Sequence, residues 1–262
     1  MVNVQLLSRP LAAVVNVLLL FPLAQAIPLS DNVASGPRAQ YPTRNIAGVS
    51  VVDTPIVRAA EAYAKQYSQD FTFQHVMRSW LLGALVVKHN ETLQATVDME
   101  VHAVASLLHD LGWDQAENSP MISPDRRFEV DGAIAARDFI RSHRDGRTWE
   151  ERRVQLVWDS IALHTDASIA AYKEVEVQLA QKAIHMDFET AEYGVTDEEF
   201  AAVTKAFPRT DFVNGVNETF IWLCQTKPAS TYDTFMQPWG DAYVANYTAV
   251  GSRVFDVIFP KK

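Results

Sequence analysis

Residues 101–112, which read VHAVASLLHDLG, decide the fold and the chemistry of this chain. A predominantly apolar helical run leads into the pair His109-Asp110, and Gly112 follows two positions later. A helix this apolar is expected to lie in a core, where an adjacent imidazole and carboxylate destabilise the fold unless they share a partner. A divalent metal is the simplest such partner, because both groups are metal ligands. The segment therefore predicts a metal site at the end of a buried helix.

Two further candidate ligands flank this pair at positions that are predicted to be helical. His75 lies upstream in FQHVMRSW (73–80), and Asp187 lies downstream in IHMDF (184–188). The alternative for His75 is a hydrogen-bonded core histidine, which is the more common role of a lone histidine. A carboxylate among apolar residues needs a partner, so Asp187 favours the metal interpretation.

The amino-acid composition makes some classes of function less plausible than others. The chain has 262 residues, of which 48% are hydrophobic and 21% charged, and its formal net charge is -9. A chain of this size buries a large core without disulfides, and its single cysteine, Cys224, lies in an apolar run that predicts a buried, inert thiol. The excess of acidic over basic residues argues against nucleic-acid binding. We expect a small-molecule substrate, and a homo-oligomer is compatible with the sequence.

The first 26 residues are typical of a secretory signal peptide. Arg9 is their only charged residue, residues 11–23 are apolar apart from Asn16, and Ala24-Gln25-Ala26 fits a cleavage site. A short membrane anchor is the alternative, although the run is short for a membrane span. Three sequons, which begin at Asn90, Asn217 and Asn246, agree with export. The sequence predicts a secreted glycoprotein with no membrane attachment after cleavage.

The remainder divides into an extended N-terminal arm at 27–50 and one helical domain at 51–262. Proline, glycine, serine and asparagine dominate the arm. The domain carries helix-start signals, namely Thr54-Pro55 and the potential capping boxes Thr148/Glu151 and Thr196/Glu199. No β-type alternation is evident, so we predict an all-α fold. The predicted helices start at Pro55 and then cover about 73–87, 97–111, 129–142, 148–164, 173–187, 196–208 and 214–225.

Five segments in this order resemble a known family. They are HVMRS (75–79), LLHDLG (107–112), RFEVDGA (127–133), IALHT (161–165) and FPRTDF (207–212). Together they resemble fungal cyanamide-hydratase-type proteins of the HD-domain superfamily of metal-dependent hydrolases, over residues 54–240. The resemblance implies an HD-domain helical bundle with a metal site in its helical core. It also implies His75, His109, Asp110 and Asp187 as ligands and His164 as a pocket histidine.

The chain departs from this family in two respects. Two-metal HD enzymes carry an extra histidine just before the Gly-Ala of the fourth helix, whereas residues 127–133 here contain none. We therefore expect one divalent metal, with Zn²⁺ favoured over Fe²⁺ or Mn²⁺. Cyanamide hydratases of this family are intracellular, so a signal peptide leaves the substrate open.

The expected chemistry is addition of metal-activated water to an electrophilic carbon such as that of a nitrile or a cyanamide-like compound. His164, with an expected pKa near 6.5, is assigned the proton transfer. Glu129 and Asp166 are weaker candidates for orienting water, since a solvated surface carboxylate is the simpler interpretation of each. Two alternatives stay open. One is an HD-type phosphohydrolase that uses arginines at 78, 126 and 127, and the other is a non-catalytic secreted metal-binding module.

Overall fold

The computed structural model describes residues 41–260, so the predicted signal at 1–26 and residues 27–40 of the predicted arm lie outside it. The described part is all-α apart from one β-hairpin, which confirms the predicted fold class. The α-helices are α1 Pro55–Tyr67, α2 Asp70–Lys88, α3 Glu91–Thr96, α4 Met99–Leu108, α5 Phe128–Ser142, α6 Glu151–Ala162, α7 Ala167–Ala170, α8 Val175–Met186, α9 Asp197–Ala206, α10 Phe212–Thr226, α11 Gln237–Tyr243 and α12 Val254–Ile258. Short 3₁₀ turns cover Leu111–Trp113, Gly146–Thr148 and Pro228–Thr231.

The hairpin corrects the sequence-based prediction of an extended arm up to residue 50. Strands β1 (Thr43–Ile46) and β2 (Val49–Val52) pair antiparallel through a turn at Ala47-Gly48, where both residues have positive φ as a type I′ turn requires. The inward side chains of β2 are buried against α2 and α4. The packed part of the chain therefore starts before residue 51. Strands of four residues are too short to show a clear alternation in the sequence.

The core is built around α2 and α4. Nearly every side chain of α2 from His75 to Val87 is buried, as is every side chain of α4 from Glu100 to Leu108. Helix α2 packs against α4 and α8, and α4 packs against α1 and α6. Because both helices are largely apolar and are buried on all sides, they are stable only when other elements surround them. The predicted burial of the segment before His109-Asp110 is confirmed.

The ends of the helices were predicted with mixed success. Helix α1 begins after Thr54 with Pro55 in its first turn, and Thr196 and Glu199 form the predicted capping box at α9. The capping box at Thr148 is wrong, because the Thr148 hydroxyl donates to the Asp145 carbonyl at 2.7 Å in a 3₁₀ turn and α6 begins only at Glu151. The short helices α3, α7, α11 and α12 were not predicted.

Helix α4 ends at Leu108, earlier than the predicted residue 111, and the following turn brings α5 close to it. A Cβ added at Gly112 would lie 2.0 Å from the backbone oxygen of Phe128, so only glycine permits this approach. The close approach places the start of α5 beside His109 and Asp110. It also joins Trp113 and Phe128 in a second apolar cluster with the buried face of α10, which includes the buried Cys224.

Among residues 41–260, none of the helices has the combination of length and apolarity that crossing a lipid bilayer requires.

Candidate metal centre

Three of the predicted ligands meet in the core. His109 and Asp110 follow the end of α4, and His75 lies on α2. The Nε2 atoms of His75 and His109 are 3.2 Å apart, and they lie 3.7 and 3.1 Å from Asp110 Oδ2. All three side chains are at most 1% exposed. This group could hold a metal ion, since one ligand atom from each residue lies within 4.8 Å of the others.

The end of α4 explains how adjacent residues point to one place. Successive side chains on a helix are about 100° apart and so face different directions. His109 keeps helical dihedral angles, but Asp110 has φ −102° and ψ 20°, outside the α-helix. The break in the helix lets the imidazole and the carboxylate approach each other. The same break starts the turn that leads to Gly112.

The hydrogen bonds of the two histidines fix their tautomers. Nδ1 of His75 donates to Asp187 Oδ2 at 2.7 Å, and Nδ1 of His109 donates to the Ser106 carbonyl at 2.8 Å. Both acceptors lack a proton to give, so each Nδ1 carries the hydrogen. Burial lowers the pKa of His75, although Asp187 acts to raise it, and this favours the neutral ring. Each Nε2 therefore presents a lone pair to the centre, which is the form that binds metals.

The surroundings of the Asp110 carboxylate show whether a cation would fit the three-residue group. Both of its carboxylate oxygens are buried, and neither accepts a hydrogen bond from any residue between 41 and 260. The neighbouring His109 Nε2 is close to Oδ2 but is not aligned for a hydrogen bond. Acceptor atoms from three side chains thus face one another in a low-dielectric interior, an arrangement that a cation stabilises. The donor set of two imidazoles and a carboxylate fits a divalent transition metal.

Asp187, the fourth predicted ligand, lies behind His75 and outside the three-residue group. Its Oδ2 accepts from His75 Nδ1 and from Arg78 Nη2, each at 2.7 Å, and its Oδ1 accepts from Arg78 Nε at 2.7 Å and Arg209 Nε at 3.2 Å. Burial acts to raise the pKa of Asp187, but His75 and Arg78 outweigh it and lower that pKa. In this arrangement the carboxylate orients the His75 ring, a common role for an acidic neighbour of a metal-binding histidine.

Arg78 supports the centre, and this role was not predicted from the sequence. It is completely buried, and its Nη1 donates to the Phe207 and Pro208 carbonyls at 3.1 and 2.9 Å. Arg78 follows His75 by three positions, so the two side chains lie on one face of α2. This helical spacing was the signal in the sequence from which the role of Arg78 could have been predicted. The carbonyl groups of Phe207 and Pro208 and the carboxylate of Asp187 together accept hydrogen bonds from all three nitrogen atoms of the guanidinium group.

His164 borders the group next to Asp110 and His109. It follows α6, and its Nδ1 donates to the Ile161 carbonyl at 2.6 Å. Its Nε2 lies 3.7 Å from Asp110 Oδ1, and its ring centroid lies 4.9 Å from that of His109. Burial lowers the pKa of His164 to about 4, below the value near 6.5 expected from the sequence. A neutral ring with its proton on Nδ1 offers Nε2 as a proton acceptor.

Glu129 and Asp166 occupy different environments. Glu129 is completely buried, so its interpretation as a solvated surface carboxylate is wrong. Its Oε1 accepts from the Thr165 hydroxyl at 2.6 Å, and Arg127 pairs with both of its oxygens. Asp166 instead caps α7 by accepting from the backbone N–H of Ile169. Glu129 therefore anchors the residue that follows His164, whereas Asp166 has a local structural role.

Aromatic rings enclose the histidines. The His75 ring stacks on Phe212 at a centroid distance of 4.9 Å and lies almost parallel to Trp113 at 6.4 Å. It meets Phe188 edge-on at 5.3 Å, and Phe128 meets His164 edge-on at 5.6 Å. These rings exclude water and lower the local dielectric, which strengthens electrostatic interactions inside the centre.

Comparison of the chain with known protein families found no family model that matches it. A comparison with curated proteins likewise found no match. The relation to HD-domain proteins therefore stays a prediction that rests on the five quoted segments.

Proposed function

We propose that this chain is an HD-type metal-dependent hydratase or hydrolase that adds water to a small uncharged substrate, such as a nitrile or a cyanamide-like compound. The observation that carries the proposal is the convergence of His75 Nε2, His109 Nε2 and the Asp110 carboxylate, whose oxygens lack hydrogen bonds within residues 41–260. A binding role alone would not require His164, whose Nε2 lies 3.7 Å from Asp110 Oδ1.

His75, His109 and Asp110 would hold one divalent ion, with Asp187 orienting His75 or joining as the fourth ligand predicted from the sequence. Zinc fits this donor set best, and Fe²⁺ or Mn²⁺ would also suit it. A bound divalent ion supplies Lewis acidity, which lowers the pKa of water toward about 7 and so provides a nucleophile near neutral pH.

The remaining chemistry falls to side chains of this chain. When water adds across a carbon–nitrogen triple bond, its oxygen bonds to carbon and a proton must move to nitrogen. His164 Nε2 lies within reach of the centre and is unprotonated at neutral pH, so it can accept the proton and pass it on. The Nδ1 bond to Ile161 holds the ring in the required tautomer. The surrounding rings keep bulk water away from the reacting atoms.

The arginines argue against the phosphohydrolase alternative. Arg78 is buried and bonded to Asp187 and two carbonyls, Arg126 pairs with Asp131 at 3.0 Å, and Arg127 pairs with Glu129. A phosphoester needs cationic partners for its charge. The arginines suggested for that role already bind carboxylates, and the aromatic wall suits an uncharged molecule better.

A substrate panel tests the proposal directly. Zinc-loaded protein is incubated with cyanamide, short nitriles and phosphoesters, and the products are measured. We expect turnover of a compound with a carbon–nitrogen triple bond and none of the phosphoesters. Turnover of phosphoesters alone would favour the phosphohydrolase, and no turnover of any compound would favour a non-catalytic metal-binding module.

We also propose that the chain is secreted, on the basis of the signal-like residues 1–26 and the three sequons. Asn90 and Asn246 are exposed, whereas Asn217 is half-buried within α10. Thr219 of the same sequon is buried. We therefore expect glycan on Asn90 and Asn246 but not on Asn217.

Peptide mapping of protein secreted by a eukaryotic host checks this prediction, with enzymatic deglycosylation as the control. N-terminal sequencing of the same material should start at Ile27. Glycan on Asn217 would contradict the structural part of the prediction, and an intracellular chain that keeps Met1 would contradict export.

A further inference from the structure

Phe188 differs from the other aromatic rings that contact the histidines of the metal centre. Its side chain is 46% exposed, whereas Trp113, Phe128 and Phe212 are 5%, 0% and 3% exposed. Its ring nevertheless lies 5.3 Å from the His75 ring and 4.9 Å from the Phe212 ring. Phe188 is thus the aromatic residue that touches both a candidate ligand and solvent.

The backbone at Phe188 is held firmly while its ring is free on one side. The preceding residue, Asp187, is bonded to His75 and Arg78, and the N–H of Phe188 donates to the His185 carbonyl at 2.9 Å. Rotation of the ring toward solvent would break its ring contacts with His75 and Phe212. The rings of Trp113 and Phe128, by contrast, pack against each other and against Phe220 in a buried cluster.

We propose that small molecules reach the metal centre past the ring of Phe188, and that this ring limits their size. The three-residue group is at most 1% exposed, so some part of its surroundings must move before a substrate or chelator enters. Among the Trp113, Phe188 and Phe212 rings that contact His75, that of Phe188 alone is exposed, so we expect its movement to disturb the packed core least. This inference rests on the proposed metal centre and adds a residue that selects substrates by size.

Chelator-driven loss of zinc tests the inference without relying on catalysis. Full-length protein is loaded with zinc, and transfer of zinc to excess EDTA is followed for wild type, Phe188→Ala and Phe188→Leu. We expect the rate for Phe188→Ala to rise roughly tenfold, with Phe188→Leu intermediate, because the cover over the centre is smaller. The rate should increase with EDTA concentration, since entry of the chelator is the step that changes.

A matched control makes the same substitution at another exposed phenylalanine. Phe255 is 63% exposed on α12 and packs against Phe259. Phe255→Ala is expected to release zinc at the wild-type rate. Zinc content before chelation and melting temperature are measured for every variant, so that weakened binding or folding is separated from easier access.

The outcomes separate the two proposals. Loss of zinc from Phe188→Ala at the wild-type rate, or accelerated loss that does not depend on EDTA concentration, would overturn the role of Phe188. If Phe188→Ala speeds EDTA-dependent loss but no substrate of the panel is turned over, the inference stands and the hydratase proposal fails. Wild-type protein that binds no zinc would overturn both.

Discussion

Replacement of His109 by alanine is expected to remove both the bound metal and the activity. The Nε2 atom of His109 lies 3.2 Å from His75 Nε2 and 3.1 Å from Asp110 Oδ2, so it is central to the three-residue group. The two groups that remain hold a divalent ion much less firmly. Metal content is measured by elemental analysis, and turnover is measured with the substrate that wild type accepts.

His102→Ala is the matched control for this variant. His102 is a second buried histidine on α4, and it serves the core: its Nε2 bonds the Trp80 carbonyl at 3.2 Å, and its ring fills the space beside Gly83. Its replacement is expected to lower the melting temperature but to leave the metal in the folded fraction. A His109→Ala protein that keeps a full complement of metal would contradict the assignment of His109 as a ligand.

Replacement of His164 by alanine is expected to keep the metal but to lower turnover by about 10²- to 10⁴-fold, the usual contribution of a general acid or base. His164 Nε2 is 3.7 Å from Asp110 Oδ1, but His164 does not belong to the three-residue group that could hold the metal. Measuring metal content, melting temperature and kcat on the same preparation separates the possible roles of this residue.

Each alternative role of His164 predicts a different combination of metal content, melting temperature and turnover. If His164 were a ligand, its loss would deplete the metal as the loss of His109 does. If it were a core histidine only, the variant would melt at a lower temperature and keep its turnover per folded molecule. Thr165→Val is a useful companion, because it removes the hydroxyl that donates to Glu129 while leaving the imidazole in place. We expect that variant to keep its metal.

The sequence was sufficient to predict the elements that carry the centre. The apolar run before His109 predicts a buried helix because no exposed face is available to it, and α4 has that property in the structure. Asp187 was predicted to be the fourth metal ligand, and in the structure its carboxylate accepts hydrogen bonds from His75 Nδ1 and from Arg78. The contacts of Asp187 with arginines were not predicted, because Arg78 and Arg209 reach it from α2 and from the segment before α10. Contacts between residues so far apart in the chain leave no local pattern.

The errors have physical reasons of the same kind. Glu129 was a candidate for orienting water, with a solvated surface carboxylate as the simpler interpretation, yet it is buried and binds both Arg127 and Thr165, the second of which lies 36 residues away. The lowered pKa of His164 follows from packing against Phe128 and the end of α4, which a sequence motif does not encode. Thr148 has the spacing of a capping box, but its hydroxyl satisfies the Asp145 carbonyl instead.

Elemental analysis of the purified wild-type protein tests the central claim most directly. The chain is purified from a eukaryotic host without chelators, and the metal content is compared with the protein concentration for wild type and for Asp110→Asn. The account predicts about one divalent ion per wild-type chain, most of it zinc, and a much lower content in Asp110→Asn, whose amide is a poorer ligand than the carboxylate. Two ions per chain, no metal after gentle purification, or equal metal in both proteins would contradict it.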